Sequence, residues 1–390
     1  MKKNILIIVF ALVFIVPFIA SYIKWDGVPP GYGLFPAQKM VEVPGFNLPY
    51  FIFACVVAFI IFLFFVFPRI FGFKKEVKLD EKQLKKVDFP YWFYPSLVIT
   101  LVSWLFMWVR TDLTALLSTY SFVPLWWGFI FVLDGIVYKR NGGVSLVSSK
   151  PTTMKILAVV SAGSWFVFEY LNFFVVSNWY YPNNQILSNF GNISWQLLSY
   201  TTVLPAVFEW YLLLKTFQKL NNRYKYGRKI SFSTTSKWVF LFLGFGLLFL
   251  MGYIPFVLFW VLWICLIPAL VPALSLAGYW TPFSEISKKG DWSFVALIAL
   301  ATMLNGFFWE FWNFGSEWLC DYEATNPNYW KYSIPYLDTQ HYFSEMPILG
   351  YFGYLFFGNV CWLLWLILAY IIGFDPSISI SLDKNQNNNE

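Results

Sequence analysis

Stretches of about twenty apolar residues recur from one end of this chain to the other, and no water-solvated domain holds so many of them. A run of that length covers roughly 30 Å of hydrocarbon as a helix, the only single-segment form that satisfies its own backbone there. The apolar windows fall near 4–22, 50–72, 91–110, 114–137, 154–178, 194–217, 237–254, 256–279, 292–313 and 347–373. The expected fold is therefore an all-α integral membrane protein with about ten transmembrane helices. Charge agrees with this. Only 12% of residues are charged, against roughly 25% in soluble domains, so polar groups cannot cover the surface.

The net charge of +6 is not a nucleic-acid footprint, because the basic residues sit in short clusters between apolar runs. Arg69, Lys74, Lys75, Lys78, Lys82, Lys85 and Lys86 follow the second run, and Lys139, Arg140 and Lys150 follow the fourth. Lys215, Lys219, Arg223, Lys225, Arg228 and Lys229 follow the sixth, and Lys288 and Lys289 the eighth. In a ten-helix count all four clusters fall on one side. The positive-inside rule then places both termini in the cytoplasm, with the chain multi-pass in a bacterial inner membrane. The first run, after Lys2 and Lys3, fits either a cleaved signal peptide or a first spanning helix, and neither choice alters the remaining topology. Segments 23–49, 178–193 and 314–345 lie on the opposite side, where Trp179, Tyr180, Tyr181, Trp330 and Tyr332 match an interfacial aromatic belt.

An internal repeat carries more information. Phe166–Phe173 reads F-V-F-E-Y-L-N-F and Phe307–Phe314 reads F-F-W-E-F-W-N-F. Each is followed by a W-x-Y (Trp179–Tyr181, Trp330–Tyr332) and then by a proline opening the next helix (Pro205, Pro347). The expected organisation is a two-helix piece with a basic linker at 1–90, four-helix units at 91–220 and 237–373, and a disordered tail at 374–390. An even helix number gives both units one orientation, related by an axis along the membrane normal.

Glu169 and Asn172 share a helix face, as do Glu310 and Asn313. A carboxyl at the centre of a bilayer is disfavoured by roughly 2.5–3.5 kcal/mol on insertion scales, so it turns into the bundle and marks a functional candidate. The alternative is an interhelical hydrogen bond that only holds helices together. Glu209 lies beyond Pro205 in P-A-V-F-E-W-Y, whereas the second unit has Glu345 just before Pro347. Asp134 reads as a snorkelling or capping residue, and Asp112 as the surface partner of Arg110. Rings make up 23% of the chain, so most are lipid-facing bulk. Trp165, Trp309, Trp312 and Trp318 flank the Glu–Asn pairs, and with Trp179, Tyr181, Trp330 and Tyr332 they are candidates to line a substrate cavity, each ring face stabilising a cation by roughly 0.5–2 kcal/mol.

His341 is the only histidine, which excludes bis-histidine haem, histidine-rich di-iron sites and desaturase-type histidine boxes. Cys55, Cys265, Cys320 and Cys361 form no C-x-x-C pair. Asp321, Glu323, Asp338, His341 and Glu345 gather in the loop 314–345 without the spacing of a known metal site. No metal and no cofactor is expected.

The order of acid, W-x-Y and proline-led helix, repeated in tandem, resembles the small membrane lycopene cyclases of the heterodimeric or fused type. The positions that carry the likeness are Glu169, Trp179, Tyr181, Pro205 and Glu209, then Glu310, Trp330, Tyr332 and Pro347. The resemblance implies a redox-neutral reaction in which an acid protonates a terminal polyene double bond, the cation closes a ring and a base removes a proton. The P-x-E-E stretch of that family is absent from both repeats. The chain is also similar to a bacterial multi-pass type with E-F-W-N followed by E-M-P-I-L-G-Y (Glu310–Asn313, Glu345–Tyr351), to which no activity attaches.

Three functions stay open at this level. One is a membrane enzyme acting on an isoprenoid or other lipid, with Glu169 and Glu310 as proton donor or base oriented by Asn172 and Asn313. The others are a proton-coupled transporter and a non-catalytic subunit packing against other membrane subunits. Partners are thus membrane lipids or a hydrophobic small molecule, with no nucleic acid.

Overall fold

Proline and small polar side chains decide where the apolar runs become helices. The computed structural model describes residues 2–38, 40–74, 85–109, 114–318, 325–337, 339, 341 and 344–380. Helices α1 (Lys2–Trp25), α2 (Leu48–Val66), α3 (Phe93–Trp108), α4 (Ala115–Thr119) and α5 (Phe122–Arg140) come first. Next are α6 (Leu146–Ser149), α7 (Pro151–Phe174), α8 (Asn189–Tyr200), α9 (Val203–Lys215) and α10 (Gln218–Arg223). The last group is α11 (Thr234–Tyr253), α12 (Pro255–Leu258), α13 (Leu266–Leu276), α14 (Pro282–Lys289), α15 (Ser293–Trp318) and α16 (Tyr351–Ile372). Pro151, Pro255 and Pro282 occupy first turns, where the missing N–H costs nothing. The Asn47 Oδ1 caps α2 by accepting from Tyr50 N at 3.0 Å, and Ser233 caps α11 in the same way.

Among the described residues the chain is all-α apart from two two-residue strands. Among the described residues, eight helices are long and apolar enough to cross a membrane, with α8 and α9 counted together. A ninth is gained if the bent pair Pro255–Trp263 and Leu266–Leu276 is one span. Helix α3 is apolar but only 16 residues long. Three of the expected continuous helices are interrupted, 194–217 by the short break between α8 and α9. The run 114–137 breaks between α4 and α5, and 256–279 bends by 46° ahead of α13. Pro268 explains the bend: it has no N–H to bond Ile264, so a new helix begins at Leu266 with the proline in its first turn.

Helix α1 packs on α11, α11 on α13, and α3 on α5. Helix α9 lies against α15, and α16 against both α15 and α7, so segments 91–220 and 237–373 interlock. Close approach relies on glycine. A Cβ at Gly244 of α11 would stand 2.5 Å from Ala269 N and 2.8 Å from Ala269 Cα on α13. Rings fill the centre, with Trp126, Trp312, Trp365, Phe168, Phe208 and Phe357 fully buried. Helix α2 stands apart: Ala58 is its only buried residue, and Phe53 and Phe59 are about 60% exposed.

The start of the expected disordered tail is packed instead. Lys150 Nζ donates to the Ser377 carbonyl at 2.9 Å, and Trp365 Nε1 to the Pro376 carbonyl at 2.8 Å. Lys75, Lys78, Lys82, Arg110, Asp112, Cys320, Asp321, Glu323, Asp338 and the tail from 381 lie outside the described residues, as does the side chain of Trp318.

Candidate functional site

Helix α7 carries Trp165, Glu169 and Asn172 at i, i+4 and i+7, one face of a helix. The W-x-Y that follows folds back over that face. Asn172 Nδ2 donates to the Trp179 carbonyl at 2.9 Å, holding the strand β1 (Trp179–Tyr180). The second repeat does the same. Asn313 donates to the Trp330 carbonyl at 2.8 Å and accepts from Trp330 N at 3.0 Å, leading into the strand β2 (Lys331–Tyr332). Neither amide has a hydrogen bond to its acid: Asn172 and Asn313 anchor the W-x-Y backbone rather than orient Glu169 and Glu310.

The acids are held by phenols and indoles. Glu169 Oε1 accepts from Tyr181 OH at 2.7 Å, Trp165 Nε1 at 2.8 Å, Trp179 Nε1 at 3.1 Å and Tyr200 OH at 3.3 Å. Glu310 Oε1 accepts from Tyr332 OH at 2.6 Å and Tyr354 OH at 2.7 Å, while Trp330 Nε1 donates to the Tyr332 oxygen at 2.9 Å. Both carboxyls are buried, at 2% and 0% exposure. Burial, reinforced by the carboxyl alongside, pushes the phenols of Tyr181 and Tyr332 well above their ordinary range, so each keeps its proton and donates. The strands β1 and β2 pair antiparallel, Trp179 opposite Tyr332 and Tyr180 opposite Lys331, which joins the two acid centres.

A cavity of about 310 Å³ lies against both centres. Its walls include Trp165, Trp179, Tyr181, Tyr200, Trp309, Trp330, Tyr332 and Tyr354. One face of α2 (Tyr50, Phe53, Ala54, Val57, Ala58, Ile61) and the bend before α13 (Trp260, Trp263, Ile264) complete them. Glu169 and Glu310 are not among the lining residues: they sit one layer back, and the polar groups offered to a ligand within mostly apolar walls are phenol, indole, hydroxyl and carboxamide.

Of the residues expected at the site, two stand elsewhere, and Asp134 pairs with one of them. Trp312 faces away from the cavity, packed among Trp104, Trp126, Phe129 and Phe308. Glu209 is fully buried on α9 and faces the carboxyl of Asp134, not the cavity. Asp134 is a cap but no snorkel. It has no solvent exposure, accepts from Val147 N and Ser145 Oγ at 2.9 Å around the start of α6, and accepts from Trp92 Nε1 at 3.1 Å. Glu317 ends α15 and accepts from Asn183 Nδ2 at 2.7 Å, and Tyr329 donates to Glu345. Among the described residues, no three His, Cys, Asp or Glu side chains stand close enough to share a metal ion.

Sequence reasoning missed Tyr200, Tyr354 and the α2 face. Tyr200 precedes Pro205 whereas Tyr354 follows Pro347, so no common spacing marks the pair. The α2 face was visible as alternation at i, i+3, i+4, i+7, but in a helix apolar on every side that period carries no signal. No family model matches the chain, and no match was found to a curated protein or to a solved structure.

Proposed function

We propose that the chain is an integral membrane protein that binds a hydrophobic molecule, an isoprenoid or other lipid, and moves protons on it. One observation carries this reading: two buried acids, each bonded to two phenols that line a single aromatic cavity. In this scheme a phenol passes its proton to the bound molecule and regains one from the carboxyl behind it, Glu169 through Tyr181 or Tyr200 and Glu310 through Tyr332 or Tyr354. One carboxyl starts protonated and the other ionised. The cation formed is stabilised by the faces of Trp165, Trp179 and Trp330, and the proton it sheds passes through a phenol to the ionised carboxyl. Proton exchange between the two centres resets them. No electrons change hands, which agrees with the cyclase-type chemistry that the W-x-Y pattern resembles.

The membrane reading extends to about ten spans, two tandem four-helix units, both termini in the cytoplasm and a bacterial inner membrane. It is supported by the lysine and arginine clusters and by the apolar side chains exposed along α2, α3 and α11. Lipid extracts of membranes expressing Glu169→Gln and Glu310→Gln test the chemistry. Both variants should fold and lose the product that the unaltered chain forms, and full product from both rules the acids out. A carrier is the second reading, favoured by the 46° bend whose residues wall the cavity. Uptake into proteoliposomes driven by a pH gradient would select it. A role as a non-catalytic membrane subunit would instead appear as fixed-stoichiometry partners and a cavity without turnover.

A further inference from the structure

The cavity is not uniformly apolar. Asn178, directly before β1, and Asn328, three residues before β2, both line it and are only 3% and 2% exposed. Their amide nitrogens are occupied: Asn328 Nδ2 donates to Gln196 Oε1 and Ser199 Oγ, each at 2.9 Å, and Asn178 Nδ2 to the Val175 carbonyl at 3.2 Å. Their carbonyl oxygens are buried and have no partner. An unbonded buried acceptor is costly, and a site that displays two of them favours a ligand able to donate. The charge pattern narrows the ligand further. Among the described residues, no Lys, Arg or His lines the cavity, so a phosphate or carboxylate head would enter without a counterion.

We infer that the occupant carries a neutral hydroxyl group that donates to the Asn178 or the Asn328 carbonyl, with its hydrocarbon body along the ring-lined walls. This rests on the ligand-binding reading above and adds the chemical class of the head. A phosphorylated lipid is the wrong head for this cavity, and so is a plain hydrocarbon.

The test uses the full chain in detergent and three probes that differ only at the head: oleyl alcohol, oleyl methyl ether and oleyl phosphate. Binding is followed by native mass spectrometry and by quenching of the cavity tryptophans. The alcohol should bind about tenfold or more tightly than the ether, because only the alcohol supplies the missing donor, and the phosphate should bind weakest. The double variant Asn178→Leu, Asn328→Leu should abolish the preference, the alcohol then binding no more tightly than the ether. An ether as tight as the alcohol, a phosphate that binds best, or a double variant that keeps the preference overturns the hydroxyl assignment while leaving the cavity reading in place. Binding of none of the three removes the cavity reading and this inference with it. The ranking on the unaltered chain decides the matter alone if the double variant does not fold.

Discussion

Gly306→Ala offers the sharpest test of how the second acid centre is built. Gly306 lies one turn before Glu310 on α15, and the ring of Tyr354 rests on it. A Cβ there would stand 2.6 Å from Tyr354 Cε2 and 2.7 Å from Cγ, and closer still to Cδ2. Ordinary contact begins near 3.4 Å, so the ring must retreat by about 1 Å, and its 2.7 Å bond to Glu310 opens past useful length. Losing a hydrogen bond to a buried acid costs about 1.5–3 kcal/mol, and the overpacking about 1–3. Alanine returns about 1 kcal/mol over glycine within a helix. The net loss is about 1.5–5 kcal/mol, read by reversible denaturation in mixed micelles. In a Tyr354→Ala background the obstacle is gone, and the same substitution should be neutral or mildly stabilising. An equal cost in both backgrounds would refute the argument, because the penalty would then have nothing to do with the Tyr354 ring.

The other expectations concern different parts of the bundle. Gly244→Ala, against the backbone of Ala269, should lose about 1–3 kcal/mol, while Gly246→Ala two residues away, with nothing within 4 Å of its Cβ, should hold or gain; equal effects would argue against the α11–α13 contact. Asp134→Ala orphans three donors and should cost about 2–3 kcal/mol, whereas Glu209→Gln gives Asp134 a donor and should raise the denaturation midpoint. A midpoint that falls equally for both would dissolve the proposed carboxyl pair. Asn313→Ala should loosen the Trp330 backbone and shift tryptophan emission, and an unchanged spectrum together with unchanged stability would deny Asn313 its anchoring role.

Hydrophobic runs made the helices readable, since a crossing helix needs little beyond length and apolar content. Breaks were harder. The bend ahead of α13 depends on a single missing amide at Pro268, and a window average does not register it. The acids with their W-x-Y partners were visible because each repeat keeps the whole set in one order. The repeats diverge where the structure needs them to: Trp165 gives Glu169 an indole, and the matching Gly306 makes room for the Tyr354 ring. That exchange hid Tyr354 from any spacing rule. Trp309 and Trp312 share a helix three residues apart, yet one lines the cavity and the other fills the core. With rings on all sides of α15, periodicity does not separate them. Glu209 and Asp134 meet only through tertiary packing, so their pairing had no local signature.

The two-residue ladder of β1 and β2 makes the two acid centres dependent on each other. Trp179, which donates to Glu169, sits opposite Tyr332, which donates to Glu310. A shift that loosens either strand therefore reaches both carboxyls, and neither centre can change as though the other were not there. Paired changes across the ladder should compensate where single ones fail, since each strand carries a donor to one carboxyl and faces a donor to the other.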